Sequence, residues 1–146
     1  MIASSSIAAA LQMQPHPEGG WYAETWRASS VGGERPIGSA ILYLLAAGER
    51  SQWHRVDADE IWGWSGGDTL ELQVWADGDR TVTTHRLGPD VMEGSTVQAV
   101  VPSGAWQAAR TLGSWTLVGC IVIPAFEFDG FELARPDWEP PTAVDA

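Results

Sequence analysis

From Ile37 to Ile123 the chain is cut every few residues by glycine, proline and aspartate turn signals, and the runs between them are too short for helices. The signals are Asp57-Ala58-Asp59, Gly66-Gly67-Asp68, Asp77-Gly78-Asp79, Gly88-Pro89-Asp90, Pro102-Ser103-Gly104 and Gly113-Ser114. Between them lie runs rich in Val, Ile, Leu, Trp and Thr, and Leu70 to Trp75 alternates apolar with polar residues, as a strand with one buried face does. Aspartate-glycine at the end of that run is a hairpin signal, answered by Thr81 to Leu87. Helical periodicity is confined to the start, where Ser4, Ser5 and Ser6 offer caps for a helix through Leu11 and Pro15 and Pro17 end it. Many short strands at even spacing predict an all-β sandwich or barrel with a short N-terminal helix.

The 146 residues fit one domain, with a core at about residues 11–133 and a loose tail from 134 to 146. Nineteen acidic against eight basic side chains give a net charge of -11. Such a surface repels phosphate backbones and anionic lipid, so neither nucleic acid nor membrane is expected as a partner. One cysteine, Cys120, lies in the apolar run Leu117 to Ile123 and reads as a buried structural thiol. The start has no basic segment ahead of its apolar stretch, which is too short to span a bilayer, and a cytoplasmic location is expected. Nine tryptophans stand out against the usual one or two per hundred residues (about). Their N–H groups need partners, which makes several of them candidates for a cavity wall or a subunit interface.

Gly48, His54, Glu60 and Gly67 stand at intervals of six, six and seven residues. Side chains two apart on a strand share a face, so His54 and Val56 point together, as do Glu60, Trp62 and Trp64. A hairpin turn at Asp57 to Asp59 would set His54 opposite Glu60, and an imidazole beside a carboxylate is either a metal-ligand pair or an acid/base pair.

This spacing resembles the first motif of the cupin superfamily, with Val56 in place of the second histidine. The second motif appears as Pro102-Ser103-Gly104-Ala105-Trp106-Gln107, with Gln107 where a histidine belongs. One branch, a cupin family long described as a domain of unknown function, is resembled more closely. The match runs through His16-Pro17-Glu18-Gly19-Gly20, Asp59-Glu60-Ile61-Trp62, Gly66-Gly67-Asp68-Thr69-Leu70, Val101 to Arg110, and Leu117-Val118-Gly119-Cys120. The resemblance implies a double-stranded β-helix (jelly-roll) barrel around a small-molecule cavity, and commonly a homodimer.

Metal cupins usually bind through three histidines and one glutamate. With Val56 and Gln107 at two of those positions no tight metal is expected; a weakly held divalent ion would fall to His54, Glu60 and Gln107. Without metal, the resemblance to cupin epimerases implies an isomerase or epimerase of a sugar-like or nucleotide-linked substrate. His54 would be the base, Glu60 its orienting carboxylate, and Tyr43 (or Tyr22) the phenolic acid. Trp62, Trp64, Trp106, Gln107 and Glu18 are the candidate substrate contacts, although Glu18 and His16 also suit a plain turn. A metal-dependent oxygenase or lyase and a non-catalytic metabolite-binding module are the alternatives. His85 is expected to face solvent without a role, and Arg55 and Arg110 to form surface ion pairs.

Overall fold

Short apolar runs can satisfy their backbone N–H and C=O groups only by pairing with one another. The computed structural model, which describes residues 2–142, shows them doing so in two antiparallel sheets. The helix α1 (Ser4–Ala10) precedes β1 (Gln14–Pro15), β2 (Trp21–Arg27), β3 (Ser39–Ala46), β4 (Ser51–Val56), β5 (Asp59–Gly67) and β6 (Leu70–Trp75). Then follow β7 (Thr83–Leu87), β8 (Gln98–Val101), β9 (Trp106–Thr111), β10 (Trp115–Ile123) and β11 (Phe131–Leu133). One sheet has six strands in the order β1-β2-β3-β10-β5-β8; the other has five in the order β11-β4-β9-β6-β7. This is a jelly-roll β-barrel with one short N-terminal helix.

The chain changes sheet at Asp57 and Ala58, so these residues do not close a hairpin between β4 and β5. β4 pairs with β9 and β11, and β5 with β10 and β8. His54 and Glu60 therefore approach each other across the barrel interior, from facing sheets, instead of across a ladder. In α1 the serines begin the helix, and Ala3 at the N-cap supplies no side-chain hydrogen bond.

The pleat sorts side chains into two groups. Inside, Tyr43, Leu45, Trp62, Leu70, Leu72, Leu87, Val101, Ala109, Val118 and Cys120 form the main core. On the outer face of the five-stranded sheet, Trp53, Trp75, Trp106 and Ala108 form a second cluster. The tail does not hang loose there: Trp138 packs on Trp106 with ring centroids 4.6 Å apart, and Ala134 N–H donates to the Trp53 carbonyl at 2.9 Å. The Trp53 indole N–H donates to Glu139 at 3.1 Å. Three large indoles with polar N–H groups need a cover, and the stretch 134–142 supplies it; residues 143–146 of the expected loose tail lie outside the described residues. No described helix is long and apolar enough to cross a membrane.

Candidate functional site

The site begins with a five-residue turn. In His16-Pro17-Glu18-Gly19-Gly20 the His16 N–H donates to the Gly20 carbonyl and the Gly19 N–H to the His16 carbonyl, each at 3.0 Å. Gly19 and Gly20 both have positive φ, 108° and 74°. A Cβ on Gly19 would also collide with the Arg50 carbonyl, so glycine is required on both counts. The turn is thereby pressed against the start of β4. The Gln52 N–H donates to the Glu18 carbonyl at 2.7 Å, and the Glu18 side chain enters the barrel.

Inside, the Ser51 hydroxyl donates to Glu18 at 3.1 Å and His54 Nε2 meets Glu18 at 2.9 Å. Ser51 and His54 are three residues apart, of opposite pleat parity. An irregularity in the β4–β9 register between them lets both reach the same carboxylate. His54 Nδ1 lies 2.6 Å from the Gln52 carbonyl. Both ring nitrogens thus face oxygen acceptors, an arrangement that suits the imidazolium. Burial alone would lower the His54 pKa, but the Glu18 charge and hydrogen bond, the Glu60 charge and the Gln52 carbonyl outweigh it and raise it to about 9. Burial works against the Glu18 carboxylate too, yet His54, His16 and Ser51 hold it below its ordinary value. His16 is different: burial lowers it, and its Nδ1 accepts the Glu18 N–H at 3.2 Å, so its proton sits on Nε2.

Glu60 enters from the facing sheet in an in-register row with Val122 and Val101. The Gln107 amide donates to Glu60 Oε1 at 2.9 Å, and the Trp62 indole N–H donates to the Gln107 oxygen at 2.8 Å. Among the described residues no hydrogen bond joins Glu60 to His54. Burial of the Glu60 carboxyl raises its pKa, and His54, which lowers it, does not compensate; with the Glu18 charge also raising it, the group titrates at about 7. Burial also pushes the Cys120 thiol, beside Glu60, well up, which keeps it protonated.

These groups line a cavity of about 240 Å³. Its wall includes His16, Glu18, Tyr22, His54, Glu60 and Cys120, with Ile41, Val56 and Val122 as apolar surface. Phe126 and Phe128 close over it, and Glu24, Arg27 and Glu127 stand at the same cavity. After β10 the chain makes one 3₁₀ turn, Phe128–Gly130, then adds β11 to β4 with Phe131 opposite Val56 and its ring 5.6 Å from His54.

Of the residues singled out in the sequence, His54, Glu60 and Glu18 meet at this cavity. Gln107 supports Glu60 from beneath the wall. Trp62 and Trp64 lie on the interior face but are spent on packing and on their bonds to Gln107 and the Asp68 carbonyl, so they do not line the space. Trp106 is one residue from Gln107, and the pleat turns it to the outer cluster, under the Arg55 guanidinium at 4.6 Å. Tyr43 lies one layer deeper, its hydroxyl donating to the Gly19 carbonyl, and Tyr22 is the phenol at the cavity. Arg55 and Arg110 form surface ion pairs with Glu132 and Glu71, at 2.7 and 3.1 Å. Sequence reasoning missed Glu18 as the direct partner of His54, and Phe126 and Phe128 as wall; it named Tyr22 only as the alternative to Tyr43 and His16 only beside a plain turn. The one available signal was an acid held between a proline and two glycines.

A family model described as Cupin superfamily (DUF985) matches residues 5–134. The chain belongs to this family. Among solved structures, this cupin is similar to a protein from Shewanella oneidensis at 34% identity, covering 92% of this chain and 85% of that one with a TM-score of 0.85. It is similar to a hypothetical protein from Leishmania major at 28% identity, covering 90% and 86% with a TM-score of 0.81. A dTDP sugar isomerase from Desulfovibrio desulfuricans shares the fold at 13% identity, covering 82% and 83% with a TM-score of 0.60. No curated protein matches.

Many cupins hold a metal where this cupin has His54, Val56, Glu60 and Gln107. The residues present do not fit one. His54 spends both nitrogens on Glu18 and Gln52, Val56 has no donor atom, and Gln107 turns its N–H, not its oxygen, toward Glu60. Among the described residues no three His, Cys, Asp or Glu side chains are grouped to hold an ion.

The raised Glu60 value has a stability consequence. The folded state binds this proton more tightly than the unfolded chain, where the group titrates near 4.5. Stability is therefore full below that value and falls, by up to about 3 kcal/mol, as pH rises through 7. Urea denaturation of Glu60→Gln and the parent at pH 5 and pH 8 checks this. The variant gains on the parent by up to about 3 kcal/mol at the higher pH; parallel pH profiles for the two would refute the assignment.

Proposed function

We propose that this cupin is a metal-independent isomerase of a small sugar-like molecule, with Glu60 as the group that carries the proton. The observation behind this reading is a buried carboxyl on a cavity wall, raised to about 7, whose hydrogen-bond partners are a neutral amide and a thiol. A general base works best when its pKa is near the working pH. His54 is a poor base here, because the Glu18 carboxylate keeps it protonated at neutral pH. Both its ring nitrogens are engaged, with Glu18 and the Gln52 carbonyl, so it takes no proton from a ligand.

In such a step the Glu60 carboxylate takes the proton, the C–H electron pair moves into the new C=C bond, and the carbonyl oxygen gains charge. The His16 Nε2–H is oriented by its own Nδ1 contact and can donate to that oxygen. Returning the proton from Glu60 to the neighbouring carbon, while the hydroxyl proton on the first carbon's oxygen passes to the former carbonyl oxygen beside His16, completes a 1,2-isomerisation with no co-reactant. Tyr22, also on the cavity wall, would be the acid for an epimerisation. The fold shared with a dTDP sugar isomerase agrees with this reading at the level of analogy.

A homodimer also has a surface to use. Trp26, Ala40, Ile121, Ile61 and Val100 stand in register across five strands of the six-stranded sheet. Trp26, Ile121 and Val100 are exposed on its outer face. We infer that a second copy covers this row, since an uncharged strip on so acidic a chain is a place where two copies meet without repulsion.

Two measurements check these readings. In D₂O, small aldoses and ketoses incubated with the protein should exchange the hydrogen beside the carbonyl. The rate should rise with pH through about 7 and fall about 10²–10⁴-fold in Glu60→Gln. Equal rates in the variant, or tight binding with no exchange, would contradict the catalytic reading. Light scattering after gel filtration should give twice the 15.7 kDa chain mass for the parent and a monomer for Ile121→Glu; a monomeric parent would contradict the dimer.

A further inference from the structure

Both cations at this cavity are already matched by anions. Arg27 donates through Nε to Glu24 at 3.1 Å and through Nη2 to Glu24 at 3.0 Å and to the Phe126 carbonyl at 2.8 Å. His54 is held between Glu18 and the Gln52 carbonyl. His16 contributes no charge, because its Nδ1 is an acceptor and burial disfavours a second proton. The two remaining charged groups of the wall, Glu60 and Glu127, are both acids. The bonded partners of Glu60 are uncharged.

An anion entering this space meets no free guanidinium, ammonium or imidazolium, and it approaches a carboxyl in a region where little water remains to screen it. The rest of the wall is Ser39, Ile41, Val56, Val122, Cys120 and aromatic rings, and its two hydroxyls, on Ser39 and Tyr22, are uncharged and leave a phosphate's charge unmatched. Size argues the same way. The cavity holds about 240 Å³, below the range of about 300–1,000 Å³ that encloses a drug-sized ligand, so it would enclose at most the sugar of a sugar joined to a nucleoside diphosphate and leave the diphosphate against Glu24 and Glu127. A single small ring or open-chain polyol fits. The net charge of -11 adds a long-range field of the same sign.

We propose that the substrate of this cavity is an uncharged, single-ring-sized carbonyl or polyol compound, and that phosphorylated, carboxylated and nucleotide-linked sugars are excluded. This rests on the reading of the Glu60 cavity as the substrate site, and it departs from the nucleotide-linked class that the cupin epimerases bring to mind. The selection comes from the pairing of Arg27 and His54. Releasing one of those cations should therefore relax it.

Calorimetric titration of the full chain with matched series tests this: neutral hexoses and pentoses, their terminal phosphates, the uronates of the same hexoses, and a dTDP sugar. At least one neutral sugar should bind, and its phosphate and uronate should bind at least 30-fold more weakly, with no heat from the dTDP sugar. Glu24→Gln, which frees Arg27 at the mouth without touching Glu60, should narrow the neutral-to-anion gap at least tenfold. An anionic member binding as tightly as its neutral parent, or no neutral member binding at all, overturns the proposal. Neutral binding without hydrogen exchange in D₂O leaves the charge selection standing and defeats the isomerase reading alone. Exchange seen on an anionic sugar does the reverse.

Discussion

The Glu18 carboxylate and the His54 imidazolium meet at 2.9 Å between a turn and a strand, both almost wholly shielded from water. Moving two such charges out of water is costly, and the cost is recovered only when each has further partners. Here it does: Ser51 completes Glu18 and the Gln52 carbonyl completes His54. Removing either charge would leave the other buried and unmatched, typically a loss of about 3–5 kcal/mol. The pair explains several otherwise separate features. It requires the two glycines that press the turn onto β4, and it requires the irregular β4 register that turns Ser51 and His54 the same way. It also occupies the imidazole, so proton chemistry passes to Glu60 on the facing sheet.

A division of labour between two sheets follows. The five-stranded sheet supplies the His54 imidazolium, neutralised by Glu18, and the Gln107 amide, and the six-stranded sheet supplies the titrating acid Glu60 with its thiol neighbour Cys120. Nothing in this arrangement needs an ion, because the polar atoms that would hold one are engaged with one another. The aromatic residues divide as well. Phe126 and Phe128 line the cavity and Phe131 packs on both, their ring centroids 5.0 to 6.1 Å apart, whereas Trp53, Trp75, Trp106 and Trp138 seal the outer face of a sheet.

Much of this was legible in the chain itself. Turn punctuation located the hairpin of Leu70–Trp75 and Thr83–Leu87 within two residues, since glycine and aspartate at turns leave few choices. The spacing of His54, Glu60 and Gln107 marked the right neighbourhood. What the spacing could not carry was partnership. Glu18 and His54 are far apart in sequence and meet only because the barrel closes. Local reasoning paired His54 with Glu60 across a hairpin, when Asp57 and Ala58 in fact carry the chain to the other sheet. Depth along a strand was equally invisible: Tyr22 and Tyr43 share an interior face as in-register neighbours, yet one reaches the cavity and the other the layer beneath. Trp106 shows the sharpest limit, since a single step in the pleat from Gln107 moves it from the interior to the outer sheet face.

The state of one imidazole decides between this account and a metal-type or histidine-base site. Selective ¹⁵N-histidine labelling gives the protonation of each ring nitrogen across a pH series. The account predicts that His54 carries protons on both nitrogens at pH 7 and loses one at about 9, while His16 is already neutral at pH 7. A His54 ring that is neutral at pH 7, with an unprotonated nitrogen turned toward the cavity, would contradict it.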